Sequence, residues 1–135
     1  MEDKGLIAIV IGATGAVGRE IVDLLIASPK YSKVIIPVRR IINRWENLPP
    51  ETKLKIIKVE NLDFLGSTAD EIKEKLEINE PVNVLFNALG SRVGRGDEEF
   101  YKVDYTYVVQ SAEVCEKLSI PHFSLCSAMN ADSSS

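Results

Sequence analysis

A six-residue apolar run, Leu6 to Ile11, leads straight into three glycines spaced three apart, Gly12-Ala13-Thr14-Gly15-Ala16-Val17-Gly18. No other stretch narrows the folding options as much. A short, continuous apolar run bounded by such punctuation reads as a strand buried on both faces. Behind the glycines, Val17, Ile21, Leu24 and Leu25 recur at helical spacing until Pro29 stops the helix. A strand buried on both faces needs helices on both sides. That points to a parallel sheet with right-handed crossovers.

The same alternation continues down the chain. Lys33 to Val38 reads as a second strand, with Pro37 near its end because proline removes a ladder bond. Ile41 to Thr52, with Trp45 and the Pro49-Pro50 pair, is too broken for a full helix. Leu54 to Val59 is a third strand. Thr68-Ala69-Asp70-Glu71 has the capping-box pattern and opens a short helix carrying Ile72 and Leu76. Val82 to Ala88 is a fourth strand. Asp97 is placed to cap a long helix whose Phe100, Val103, Tyr107, Ser111, Val114 and Leu118 face the core. Pro121 to Ser127 is a fifth strand. The expected fold is α/β: a doubly wound parallel sheet of the Rossmann type, with at least five strands in the order 3-2-1-4-5 and helices on both faces.

Composition excludes several classes. The 135 residues are one domain's worth, 45% hydrophobic and 27% charged, which is ordinary for a packed domain and not for a disordered chain. No apolar run approaches the roughly 18–20 residues that cross a bilayer. Sixteen basic against twenty acidic residues give a net charge of −4, with no basic block for nucleic acid or a membrane surface. Cys115 and Cys126 make neither a disulfide framework nor a metal spacing, so no metal is expected and the expected setting is the reducing cytosol.

The glycine turn has a specific chemistry. Gly12 lets the chain leave the strand in a tight turn. Gly15 omits a side chain where backbone must approach a pyrophosphate, and Gly18 lets the helix lie close to the sheet. Thr14 and Ala16 keep the mouth small, and the helix start offers free N–H groups to an anion. A tight turn without a ligand is the competing reading. About 20 residues on, where an NAD site carries an acid for the ribose 2′-hydroxyl, stand Arg39 and Arg40. A guanidinium binds a 2′-phosphate with two charge-assisted hydrogen bonds, which favours NADP(H) over NAD(H). The competing reading is a solvated strand end.

These residues resemble the short-chain dehydrogenase/reductase superfamily in its atypical branch. Gly12 to Gly18 matches that group's GATGxxG turn, and Asn87-Ala88-Leu89-Gly90 is similar to the NNAG-like motif whose backbone lies beside the cofactor. The stretch from Leu89-Gly90-Ser91-Arg92 through Phe100-Tyr101-Lys102-Val103-Asp104 and Ser111-Ala112-Glu113 to His122-Phe123-Ser124-Leu125-Cys126-Ser127 resembles the Tat-interacting-protein-type oxidoreductases. The resemblance implies hydride transfer between a nicotinamide and a carbonyl or alcohol, with a tyrosine moving the proton and a lysine four residues later lowering its pKa. It places Ser127 on the substrate oxygen, and Asn61 and Leu62 near the adenine, where a plain strand-end turn is the alternative. Ala128 and Met129 depart from the subfamily's serine and lysine. The tyrosine and lysine are expected about a dozen residues beyond Ser127, and no Tyr-x-x-x-Lys follows Ser127 before Ser135. The chain is therefore expected to be a single cofactor-binding domain over residues 1–135, the N-terminal part of a longer protein.

Three functions fit these residues. The first is an NADP(H)-dependent oxidoreductase acting on a small-molecule substrate. The second is a non-catalytic NADPH-binding scaffold read by a protein partner. The third, a sugar-nucleotide epimerase or dehydratase, ordinarily uses NAD, and Arg39 and Arg40 argue against it. Neither nucleic acid nor membrane is an expected partner.

Overall fold

The computed structural model describes residues 5–46, 48, 52–89 and 98–126, the last segment as backbone alone over 98–104. Gly90, Asp97 and Ser127 lie outside the described residues. The elements run β1 (Leu6–Ile11), α1 (Ala16–Ala27), β2 (Tyr31–Val38), the one-turn α2 (Asn43–Glu46), β3 (Leu54–Lys58), a 3-10 turn (Asp63–Gly66), α3 (Ala69–Lys75), β4 (Val84–Asn87), α4 (Glu98–Leu118) and β5 (His122–Leu125). The five strands form one sheet in the order β3-β2-β1-β4-β5, every pair parallel. This is the doubly wound Rossmann arrangement that the sequence implies.

The continuous apolar character of β1 follows from having two covered faces. Ile7, Ile9 and Ile11 pack into a cluster with Leu65, Ile72, Leu76 and Val114, the side covered by α3 and α4. Ala8 and Val10 point the other way, into Val22, Leu25, Val34, Ile36 and Trp45 beneath α1 and α2. Each fully buried Ile or Val contributes roughly 1.5–3 kcal/mol relative to exposure. A polar residue on either side of β1 would therefore open one of two cores.

Pro37 is tolerated for a reason visible in the ladder. Val34 N–H donates to the Lys53 carbonyl and Val59 N–H donates to the Val38 carbonyl, so the even residues of β2 face β3. The odd ones face β1, where the register ends at Ile9 opposite Ile35. The next donor toward β1 would be Pro37, which has none. Pairing of Pro37 and Val38 with β3 continues.

Helix α3 opens on the expected capping box: Thr68 Oγ1 accepts from Glu71 N–H, and Glu71 Oε1 accepts from Thr68 N–H. Both α3 and α4 close without glycine. Glu77 and Ser119 take φ of 54° and 58°, while Ile78 and Ile120 donate back to Lys73 and Cys115. This is the Schellman closure with an apolar residue tucked after it. A non-glycine residue in the left-handed region costs about 1 kcal/mol. Exposed Ser119 makes no packing contribution that glycine would forfeit. Ser119→Gly is therefore expected to raise stability by about 1 kcal/mol, read as a higher urea midpoint at unchanged slope. A lower midpoint would contradict the strain argument.

Candidate functional site

The turn after β1 is built by two close approaches. Gly12 sits at φ +81°, and a Cβ there would lie 3.1 Å from both the Leu89 amide and its side chain. Gly18 is tighter: a Cβ would lie 2.0 Å from the Gly12 carbonyl oxygen. The first turn of α1 is thus pressed onto the turn that precedes it. Gly15 differs. Among the described residues a Cβ there would meet only the Gly12 oxygen, at an ordinary 3.6 Å. Its backbone is extended (φ −73°, ψ 171°), a conformation open to any residue. The described residues therefore give no packing reason for glycine at position 15. Gly15 is also the N-cap of α1, with no side-chain cap and no acidic residue in the first turn. The leading amides and the positive end of the helix dipole are left for an outside anion.

A cleft of about 480 Å³ opens beside this turn, across the carboxyl ends of the strands. Gly12, Ala13 and Thr14 form one wall, and the end of β2 through Arg39 and Arg40 forms a second. Asn61 and Leu62, after β3, form a third, and Leu89 and Tyr107 close the fourth. A larger hollow of about 770 Å³ adjoins it at Arg39, Glu60 and Asn61 and runs past Lys58 and Lys75. That hollow does not reach the glycine turn, so the smaller cleft is the candidate site. Clefts at this end of a doubly wound sheet are the usual ligand position.

Of the residues singled out from the sequence, Gly12, Ala13, Thr14, Arg39, Arg40, Asn61, Leu62 and Leu89 share this cleft. Gly15, Ala16, Val17 and Gly18 follow directly as the start of α1. Ala88 is 3% exposed and lies behind Gly12, its N–H donating to the Ile11 carbonyl. Gly90 and Ser127 fall outside the described residues. Sequence reasoning gave Tyr107 only a core-facing position, but it also lines the cleft and donates its hydroxyl to Asp63 Oδ1 at 2.8 Å. A polar-tipped aromatic on a core-facing helix stripe was the available signal.

The cysteines offer no nucleophile. Burial pushes the Cys115 thiol up to about 11 and raises Cys126 as well, so both stay protonated near neutral pH. Among the described residues no group of three His, Cys, Asp or Glu side chains is placed to hold a metal ion. No described helix is long and apolar enough to cross a membrane.

Residues 12–135 match the NAD(P)H-binding family. The chain belongs to that family. The match begins at Gly12, the first glycine of the turn. Over 136 aligned residues the chain is 28% identical to protein HTATIP2 of Rattus norvegicus, in keeping with the subfamily resemblance. That alignment takes in the whole of this chain and 51% of the rat protein, so the chain spans about half the length of the curated relative it matches. The fold is similar to that of dTDP-glucose 4,6-dehydratase from Bacillus anthracis, solved in complex with NAD (TM-score 0.59, 17% identity, 90% of this chain and 36% of that one). It is also similar to an ethylated short-chain dehydrogenase/reductase from Veillonella parvula (TM-score 0.54, 11% identity, 88% of this chain and 45% of that one). The features of the turn fit a dinucleotide: an uncapped helix start, and a glycine that its own neighbours do not require.

Proposed function

We propose that the chain is the cofactor-binding part of a short-chain-type oxidoreductase that takes NADP(H) in preference to NAD(H). The observation that carries this reading is the Arg39–Arg40 pair. Both arginines line the cleft at the end of β2, and neither has an ion pair among the described residues. Uncommitted guanidiniums are free to take a 2′-phosphate. Glu60, on the β3 side of the same cleft, is a single carboxylate against two cations.

In this reading Gly15 and the first amides of α1 hold the pyrophosphate. Asn61 and Leu62 border the adenine, and the backbone of Ala88 and Leu89 runs beside the nicotinamide ring, the role that the sequence motif extends to Gly90. Ser127 donates to the substrate oxygen. When bound, the nicotinamide supplies or accepts the hydride.

Titration of NADPH and NADH by nicotinamide fluorescence tests the reading. The double substitution Arg39→Ala, Arg40→Ala is expected to weaken NADPH roughly tenfold to a hundredfold, the loss of charge-assisted bonds to one phosphate. NADH, which lacks that phosphate, should change by less than about threefold. Equal weakening of both would remove the 2′-phosphate site from β2. In a chain that carries a Tyr-x-x-x-Lys after Ser127, NADPH bound but never consumed by carbonyl compounds would leave the scaffold function instead.

A further inference from the structure

We propose that Asn87 and Ser111 are positioning residues, a buried polar brace that holds the Leu89 and Tyr107 walls of the cleft at a set separation and thereby sets dinucleotide affinity. The proposal rests on the reading that this cleft holds the dinucleotide.

Asn87 ends β4 and Ser111 lies mid-way along α4, 24 residues later, and both are fully buried. They are the two buried polar residues recorded among the described side chains. A polar group taken out of water must be bonded or it destabilises the fold. Here each bond goes to cleft-wall backbone or to the other member of the pair. Asn87 Oδ1 accepts from the Leu89 N–H at 2.8 Å, and Asn87 Nδ2 donates to Ser111 Oγ at 2.9 Å. Ser111 Oγ donates in turn to the Tyr107 carbonyl at 2.8 Å.

Neither residue lines the cleft, but both ends of the brace do. Leu89 is also the residue against which Gly12 packs. The path continues beyond Tyr107. Its hydroxyl donates to Asp63 Oδ1, and Asp63 N–H donates to Asn61 Oδ1, each at 2.8 Å. One unbroken hydrogen-bonded route therefore joins the β4, α4 and β3 walls. An apolar pair could fill the same volume without the polar cost. It could not fix an amide on one wall relative to a carbonyl on another, because apolar packing is non-directional.

The mild variant Ser111→Ala tests this, with Asn87→Ala and the double variant beside it. NADPH affinity is measured well below each variant's melting temperature, and the exchange rate of the Leu89 amide is followed by NMR. Ser111→Ala is expected to weaken NADPH roughly threefold to tenfold, as substitutions away from the ligand do when they act through a shared network. It should also speed Leu89 amide exchange. The double variant should bind no more weakly than Asn87→Ala alone, since the two act through one path. Val114→Ala removes a fully buried apolar side chain from the next turn of the same helix and is the control. It should lower stability and leave affinity unchanged. The brace is overturned if Ser111→Ala changes neither affinity nor Leu89 exchange, or if Val114→Ala weakens NADPH equally. If the unaltered protein binds no NADPH, the cofactor reading fails, and Leu89 exchange still reports on the brace.

Discussion

Gly18→Ala is expected to destabilise the protein by about 2 kcal/mol, although the same change in an ordinary helix stabilises it. The two effects can be weighed. Alanine in place of glycine inside a helix gains roughly 0.5–1 kcal/mol. Against this, the added Cβ would stand 2.0 Å from the Gly12 carbonyl oxygen and 2.8 Å from the Ala13 Cα. Both are backbone atoms with no flexible end to swing aside. Forcing a methyl into a packed site costs about 1–3 kcal/mol, occasionally more. Here relief requires moving either α1 or the turn. The turn is held by Gly12 against Leu89 and by the β1 ladder, and α1 is anchored through buried Val22 and Leu25. The clash therefore wins. Total stabilities of such domains run to about 5–15 kcal/mol, so the loss is a large drop in the urea midpoint. Any relaxation that admits the methyl also displaces the Gly12 carbonyl, so NADPH binding is expected to fall in the surviving folded protein. A midpoint at or above that of the unaltered protein would mean that α1 does not sit on the turn as described.

What the sequence made legible was whatever is encoded locally. The apolar run of β1, the glycine spacing and the box at Thr68 each lie within a few residues and fold as their pattern dictates. Strand order followed as well, because alternation of strands and helices leaves few chiral solutions. The 3-10 turn Asp63–Gly66 was not legible. It has no period, and it is held from a distance: Tyr107 bonds Asp63, Lys117 Nζ donates to the Ser67 carbonyl, and Gly66 faces the Gln110 amide. Strand β5 is also shorter than its apolar sequence suggested, and Phe123 and Leu125 remain more than a third exposed. At the outer edge of the sheet among the described residues, it is covered by α4 only in part. In the site, the glycines and arginines could be found by spacing. The Asn87–Ser111 pair could not, because its meaning lies in a contact between residues on different elements, and neither residue touches the cleft.

The converse substitution, Gly15→Asp, is expected to leave the fold intact and remove dinucleotide binding, with an affinity loss of at least about a hundredfold. Among the described residues nothing opposes a side chain at position 15: the backbone is extended and the nearest described neighbour of a Cβ is at 3.6 Å. Aspartate is moreover a better N-cap than glycine by a few tenths of a kcal/mol. Its charge at the helix start adds about 0.3–1 kcal/mol. The urea midpoint should therefore hold steady or rise. The ligand meets the opposite situation. The carboxylate takes over the free amides of α1 and places a negative charge where the pyrophosphate would lie. Two like charges about 4 Å apart near a protein surface repel by roughly 4 kcal/mol, which alone accounts for the expected loss. Gly15→Ala separates volume from charge and should weaken binding less than aspartate does. Gly12 and Gly18 thus answer to neighbouring backbone, and the proposed function assigns Gly15 to the ligand. An aspartate variant that still bound NADPH normally would place the pyrophosphate away from the start of α1.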